Sequence, residues 1–271
     1  STDGGATWSP EMPVSDESAA VEFVALQPLR DGRLLAAWLD GRARTAGNDR
    51  QALYSRVLGA PGPDTLVDGF VCDCCQLSFV PTTNGGALLA YRGRTKEEIR
   101  DMQLARFDGL TWSLPGPLNA DGWKIAGCPV NGPQLAQNGG QIGAVWFTAA
   151  DNQARVLART SDNAGVTFGP VVRVDLGRPQ GRVDSVMLAD GTLVMSWLEM
   201  TGKDAGKQGG IYLRTLSLDG RLSEPQLVAP SSISRMSGFP RMVLLGGRRL
   251  LLTCTQDGEP SLVLTFSVEV N

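Results

Sequence analysis

The stretch VCDCCQ, Val71 to Gln76, places Cys72, Cys74 and Cys75 within four positions, and Cys128 follows in AGCPVNGP. Thiols at this density can form disulfides, bind a soft metal ion or act in redox chemistry. Cys74 and Cys75 are adjacent, with Cα atoms about 3.8 Å apart, closer than a relaxed disulfide prefers. Cys72 and Cys74 could bridge only under strain, so an unstrained disulfide is best made from this run to Cys128. Alternatively, Cys72, Cys74, Cys75 and Cys128 form a thiolate set suited to copper(I) or zinc. Free thiols with redox or structural roles are the third reading. The chain has no histidine, so imidazole ligation is excluded and a nucleophilic cysteine would lack its usual base. Five cysteines leave at least one outside any intrachain pairing. Cys254, in RRLLLTC, is expected to be buried and inert.

The elements that position these residues follow from a repeat. Four turns each lead into an apolar run: DGRLLAAWLD, NGGALLAYRG, GGQIGAVWFT and DGTLVMSWLE, with a looser fifth, GGRRLLLTCTQ. A large side chain recurs in one register, at Trp38, Tyr91, Trp146 and Trp197, and Cys254 takes its place in the last copy. The intervals are 53, 55, 51 and 57 residues. A period near fifty built of short strands predicts the blades of an all-β propeller, four antiparallel strands to a blade. Residues 1–271 then form one domain. The second copy reads as LSFVPTT, GALLAYR, DMQLARF and WSLPGPL, and the fourth as VDSVMLA, TLVMSWLE, GIYLRTL and LSEPQLV. Alternation of strands sorts the connections onto two faces. VCDCCQ, AGCPVNGP, GRPQGRVD and RMSGFPRM precede the first strands of successive blades and share one face with the connections between second and third strands. That face, around the central channel, is where a ligand site is expected.

Composition limits the partners. A net charge of -3 and a pI near 5.1 argue against nucleic acid. No apolar run approaches the roughly eighteen residues that a membrane-spanning helix needs. A glycan, another small molecule or a protein on the loop face remains.

Two further motifs carry a resemblance. STDGGATW at the start fits an Asp-box at Ser1, Asp3, Gly5, Thr7 and Trp8, and SDNAGVTF fits it at Ser161, Asn163, Gly165, Thr167 and Phe168. FDGLTW is a degenerate third copy. The chain resembles the bacterial sialidase (neuraminidase) Asp-box repeat family, in a divergent subgroup with CDCCQ and GCPVNGP motifs. The boxes are expected to be structural hairpins in which the carboxylate or amide bonds nearby N–H groups and the aromatic fills the space between blades. The first box has two readings: as the fourth strand of the last blade, closing a five-bladed ring, or as the remnant of a blade in a six-bladed whole.

The resemblance implies a periplasmic or secreted glycan-binding or glycan-hydrolysing protein. Family chemistry needs an arginine cluster for a substrate carboxylate, a tyrosine nucleophile and an aspartic acid/base. Arg42, Arg92, Arg94, Arg182, Arg235 and Arg241 are the substrate-binding candidates. LLAAWLDGR is similar to an acidic segment of sialidases, making Asp40 and Asp49 the acid/base candidates. No nucleophile can be assigned: Tyr54 and Tyr212 lie within third strands, and Tyr91 shares the hydrophobic register of the tryptophans. A non-catalytic scaffold that binds a protein through Met236 and Phe239 is the competing expectation.

Overall fold

The computed structural model describes residues 1–15, 20–45, 47, 51–202 and 208–270. Asp49 lies outside the described residues. The first sheet comprises β1 (Val21–Pro28), β2 (Leu34–Asp40), β3 (Gln51–Val57) and β4 (Thr65–Val71), with a single helical turn, α1 (Arg42–Thr45), after β2. The second comprises β5 (Ser78–Pro81), β6 (Ala87–Arg92), β7 (Met102–Phe107) and β8 (Gly116–Pro117). The third comprises β9 (Gln134–Asn138), β10 (Gln141–Thr148), β11 (Arg155–Ser161) and β12 (Val172–Arg173). The fourth comprises β13 (Pro179–Met187), β14 (Leu193–Met200), β15 (Gln208–Leu216) and β16 (Gln226–Ser232). The fifth comprises β17 (Arg241–Gly246), β18 (Arg249–Gln256) and β19 (Leu262–Glu269). Strands follow chain order in every sheet and all pairs are antiparallel. This is the propeller expected from the repeat.

Sheet stacking follows from the two-residue period of the second strands. In β6, Leu88 and Ala90 pack towards Ala144 and Trp146 of the third sheet, whereas Leu89 and Tyr91 pack towards Ala37 and Leu39 of the first. In β14, Met195 and Trp197 face Val145 and Phe147, and Val194 and Leu198 face Leu250 and Leu252. A strand covered on both faces has no polar side, which is why these runs are continuously apolar. Each fully buried large side chain adds about 1.5–3 kcal/mol of transfer free energy.

The large residue of each register carries a polar atom that must also be satisfied. Trp38, Tyr91, Trp146 and Trp197 are each fully buried. Trp38 Nε1 donates to Asp40 at 2.9 Å and Tyr91 Oη to Asp68 at 2.7 Å. Trp146 Nε1 donates to Asp121 at 2.8 Å and Trp197 Nε1 to Glu199 at 2.6 Å. Cys254 takes the position in the fifth blade and is buried, as expected.

Three expectations are corrected. The fifth sheet has three strands among the described residues, and residues 1–15 add none. Trp8 fills no space between blades: it is 78% exposed, because no sheet stands beside the first box. GRPQGRVD is not simply a loop, since β13 begins at Pro179. The strand accommodates the segment through register shifts on both sides of Gly181, with Gly181 (φ 76°) and Arg182 (φ 54°) in the left-handed region. The two box segments nonetheless share one turn. Ser1 and Ser161 each accept from the glycine N–H four residues on, and Asp3 and Asn163 accept from the N–H of Thr7 and Thr167.

Glu199 accepts from Trp197 Nε1 and from the backbone N–H groups of Leu176 and Arg178. Glu199→Ala orphans all three donors, and the expected loss of stability is about 3 kcal/mol or more, read from urea midpoints. Glu224, exposed on the same sheet's periphery, serves as control: Glu224→Ala should stay within about 0.5 kcal/mol of wild type. Equal midpoints for the two variants would show that the indole bond does not organise the blade.

Candidate functional site

The loops preceding β5, β9, β13 and β17 meet on one face, as their order requires. The first two are joined covalently by a disulfide between Cys74 and Cys128. This is the connection to Cys128 expected from geometry. Cys72 and Cys75 remain as buried free thiols, with Cys72 Sγ 3.6 Å from Cys75 Sγ and 3.9 Å from Cys74 Sγ. The two loops are also joined at Gly132, whose N–H donates to Gln76 Oε1 at 3.0 Å. A Cβ at Gly132 would stand 2.2 Å from the Gln76 carbonyl oxygen, so the approach demands glycine.

Asn131 extends this seam to the fourth blade. Its carbonyl accepts from Arg92 Nε (3.2 Å) and Nη2 (2.7 Å), its Oδ1 accepts from the Arg182 N–H at 2.7 Å, and its Nδ2 donates to the Gln180 carbonyl at 3.3 Å. Arg182 continues to the fifth blade through Ser237 Oγ and the carbonyls of Gly238 and Ile233. CDCCQ, GCPVNGP, the β13 entry and SGF thus form one polar seam across four blades.

The seam floors a cavity of about 420 Å³. Asn131, Gln180, Arg182 and Arg235 supply its polar lining, and Phe147 and Phe239 supply its aromatic lining. The Arg182 guanidinium lies 6.0 Å from the Phe239 ring centroid. Burial and the nearby Arg235 charge both lower the Arg182 pKa. Neither arginine is paired with a carboxylate among the described residues, so the cavity holds uncompensated positive charge. A larger cavity, about 510 Å³, lies between the fourth and fifth sheets near Cys254 and Phe266. It gathers no cationic side chain among the described residues, and the smaller cavity is therefore the stronger candidate for an anionic ligand.

The other arginine candidates are committed to the fold. Arg92, almost wholly buried, donates to the carbonyls of Arg100, Asn131 and Phe147 and lies over Trp123. Arg42 bridges Asp40 and Asp64 at 2.7 Å each and lies 3.8 Å above the Tyr54 ring centroid. Arg94 pairs with Glu98 at 2.6 Å, and Arg241 with Asp184 at 3.3 Å. Of the six arginines, only Arg182 and Arg235 line the cavity.

Asp40 lies beneath the loop face with no exposed surface. It accepts from Trp38 Nε1 and from the Arg42 backbone and guanidinium. Burial pushes its pKa up, but the Arg42 and Trp38 hydrogen bonds outweigh it and hold the pKa below the ordinary carboxylate range. Such a group is an ion-pair acceptor rather than a proton donor at neutral pH. Tyr91 is likewise no nucleophile as placed: burial first, then the Asp68 charge, raises its pKa. Asp68 and Asp101 border a separate 240 Å³ cleft with Arg94. Asp68 accepts from Tyr91 Oη and the Phe70 N–H, and Asp101 from the N–H groups of Gly122 and Trp123. A sequence signal exists for the indole acceptors Asp40 and Glu199, in WLD and WLE, where an acid follows the tryptophan by two residues, and none for Asp68 or Asp101.

The sulfur atoms of Cys72, Cys74 and Cys75 all lie within 4.8 Å of one another, so the cluster could hold a metal ion. With Cys74 bonded to Cys128, two thiols remain. Arg100 Nη1 donates to Cys72 Sγ at 3.3 Å, and the Arg92 charge also acts on this sulfur. Two guanidinium groups favour a thiolate there and oppose a cation, so copper or zinc fits the bridged state poorly.

No protein-family model matches the chain, and no curated protein does. Solved structures do. An α-L-arabinanase of Penicillium chrysogenum, complexed with arabinobiose, aligns over 89% of this chain and 80% of its own, at TM-score 0.55 and 15% identity. A protein of unknown function from Dyadobacter fermentans aligns over 94% and 80%, at 0.57 and 16%. An ulvan lyase bound to a saccharide of glucuronic acid and 3-sulfated rhamnose aligns over 91% and 66%, at 0.58 and 11%. At these identities the likeness shows the propeller fold.

Because the folded Asp40 pKa lies below its unfolded value, its contribution to stability is full above the unfolded pKa and lost as pH falls through the folded one. Asp40→Asn should therefore lower stability at neutral pH and flatten the acid limb of a denaturation-midpoint profile below about pH 4. A variant with an unchanged acid limb would remove Asp40 from the ion-pair role.

Proposed function

We propose that this propeller binds acidic glycans, those bearing uronate, sialate or sulfate groups, at the Arg182–Arg235 cavity. The observation that carries the reading is the pair of guanidinium groups, unneutralised by carboxylate among the described residues, beside two aromatic rings in a cavity of sugar-ring scale. Guanidinium forks match carboxylate and sulfate oxygens, and Phe239, half-buried at the cavity wall, offers a face for the apolar side of a pyranose. The carbohydrate-bound neighbours support a saccharide ligand, and the glucuronate-containing ligand of the ulvan lyase supports an acidic one. Glycoside hydrolysis has less support, since no carboxylate lines the cavity among the described residues and Asp40, in the first blade, is engaged by Trp38 and Arg42 away from it. Location in the periplasm or outside the cell accords with a free glycan as ligand. A protein partner on the same face is favoured by Met236, 65% exposed beside Arg235.

Calorimetric titration with glucuronate oligosaccharides, sialosides and neutral arabino-oligosaccharides tests the reading. The acidic ligands should bind, more weakly as salt rises, and the neutral ones should not. Arg182→Gln should weaken binding about tenfold or more, the scale of one charged hydrogen-bond pair. Binding that ignores both ligand charge and Arg182 would refute the assignment. Loss of protein capture but not glycan binding in Met236→Ser would identify the second reading as a separate property of the face.

A further inference from the structure

The glycan reading leaves the sulfur cluster without a role, and the cluster is more than a staple. Cys72 and Cys75 form a C-x-x-C pair with sulfurs 3.6 Å apart, and Cys72 Sγ stands 3.9 Å from one end of the Cys74–Cys128 disulfide. Four sulfur atoms at two oxidation levels therefore meet in one cluster, in which Cys72, Cys74 and Cys75 are buried and Cys128 is exposed. Arg100 donates to Cys72 Sγ and is itself fixed by Glu98 at 2.8 Å and Asp73 at 3.2 Å. That cationic side stabilises a sulfur anion and opposes a metal ion, which separates this site from a thiolate metal centre.

We propose that this cluster is a thiol–disulfide exchange site in which Cys72 is the nucleophile and the Cys74–Cys128 disulfide is moved onto Cys72 and Cys75. In the first step the Cys72 thiolate attacks Cys74 Sγ. The Cys72–Cys74 bond forms, the Cys74–Cys128 bond breaks, and Cys128 leaves with the electron pair and takes up the proton that Cys72 released. In the second step Cys75, losing its proton, attacks Cys72 Sγ. The Cys72–Cys75 bond forms, the Cys72–Cys74 bond breaks, and Cys74 leaves with the electron pair and receives the Cys75 proton. One disulfide and two thiols are present before and after, so no outside oxidant or reductant is required.

The two thiols are differentiated as the order of steps requires. The hydrogen bond from Cys75, aided by Arg100 and Arg92 and opposed by burial, lowers the Cys72 pKa to about 6. Burial, then the bond to Cys72, raises the Cys75 pKa well above that of an ordinary thiol. Cys128 lies three residues before Asn131, so the transfer removes a covalent tether from the loop that floors the glycan cavity. The exchange itself does not depend on what that cavity binds.

Disulfide mapping of the intact protein tests the proposal without any glycan. The protein is held anaerobically near neutral pH with chelator and no redox reagent, quenched in acid, unfolded, alkylated and digested. The expected result is a minor Cys72–Cys75-linked species with Cys74 and Cys128 alkylated, roughly 0.1–10% of molecules, as for a state a few kcal/mol above the ground state. Cys72→Ser should abolish it and retain only the Cys74–Cys128 link. Cys75→Ser should stop at the first step, giving a Cys72–Cys74 link with Cys128 alkylated, and it carries the test by itself if Cys72→Ser fails to fold. Wild type and Cys75→Ser showing only the Cys74–Cys128 link would overturn the proposal. Rearranged links as abundant in a folded Cys72→Ser as in wild type would also overturn it, because they would arise by scrambling after unfolding.

Discussion

A buried aromatic N–H or O–H with no access to water must find an acceptor, and in four blades that acceptor is a carboxylate. The consequence reaches beyond the pair, because a carboxylate has lone pairs to spare and gathers neighbouring backbone N–H groups. Glu199 takes the Trp197 indole and, with its remaining capacity, fixes Leu176 and Arg178 at the entry to β13. Four residues past Arg178 stands Arg182, the cavity arginine. Asp68 takes the Tyr91 hydroxyl and the Phe70 N–H, just before Cys72. Asp40 takes Trp38 and orders Arg42. The core register is thereby converted into the position of the loop face. In the fifth blade Cys254 presents no such donor, and that link between core and face is missing.

Arginine serves the same purpose between blades. Its planar fork can satisfy several carbonyls at once, which lysine cannot do with the same geometry. Arg92 joins three separate segments through the Arg100, Asn131 and Phe147 carbonyls. Arg159 reaches Leu118, Phe168 and Gly169, and Arg214 reaches Val174 and Ser223. Positive charge around a propeller channel is therefore mostly structural here. The distinction that matters for binding is whether a guanidinium has been neutralised by a carboxylate, and among the described residues Arg182 and Arg235 differ from Arg42, Arg94 and Arg241 in that respect.

This explains which parts were legible in the sequence. The blade repeat was readable because turn residues and a large apolar residue recur together. The shared face was readable because antiparallel strands alternate direction without exception. The connection to Cys128 followed from that topology plus the short reach of neighbouring cysteines. The role of Asp40 was not readable, since an acid two residues after a tryptophan can be a catalyst or an indole acceptor, and only burial separates them. Nor could residue type separate Arg92 from Arg182. The extension of β13 through Pro179 and Gly181 was hidden because proline and glycine ordinarily mark a loop. Gly181 is required there for a packing reason, as a Cβ would lie 2.3 Å from Asn131 Oδ1.

Asn131 is the residue through which these constraints meet. Its carbonyl is held by Arg92 from the second blade, its Oδ1 holds the Arg182 N–H of the fourth, and Gly132 beside it is tied to Gln76. The loop is thus retained by three polar attachments in addition to the covalent one at Cys128. Opening the disulfide would free its N-terminal side while the Arg92 and Gln76 bonds still hold its C-terminal side. The physical expectation is a local slackening around Pro129 and Val130, both of which line the cavity, rather than separation of the blades. A sulfur exchange at this place can consequently alter the shape of the cavity without endangering the stacked sheets beneath it.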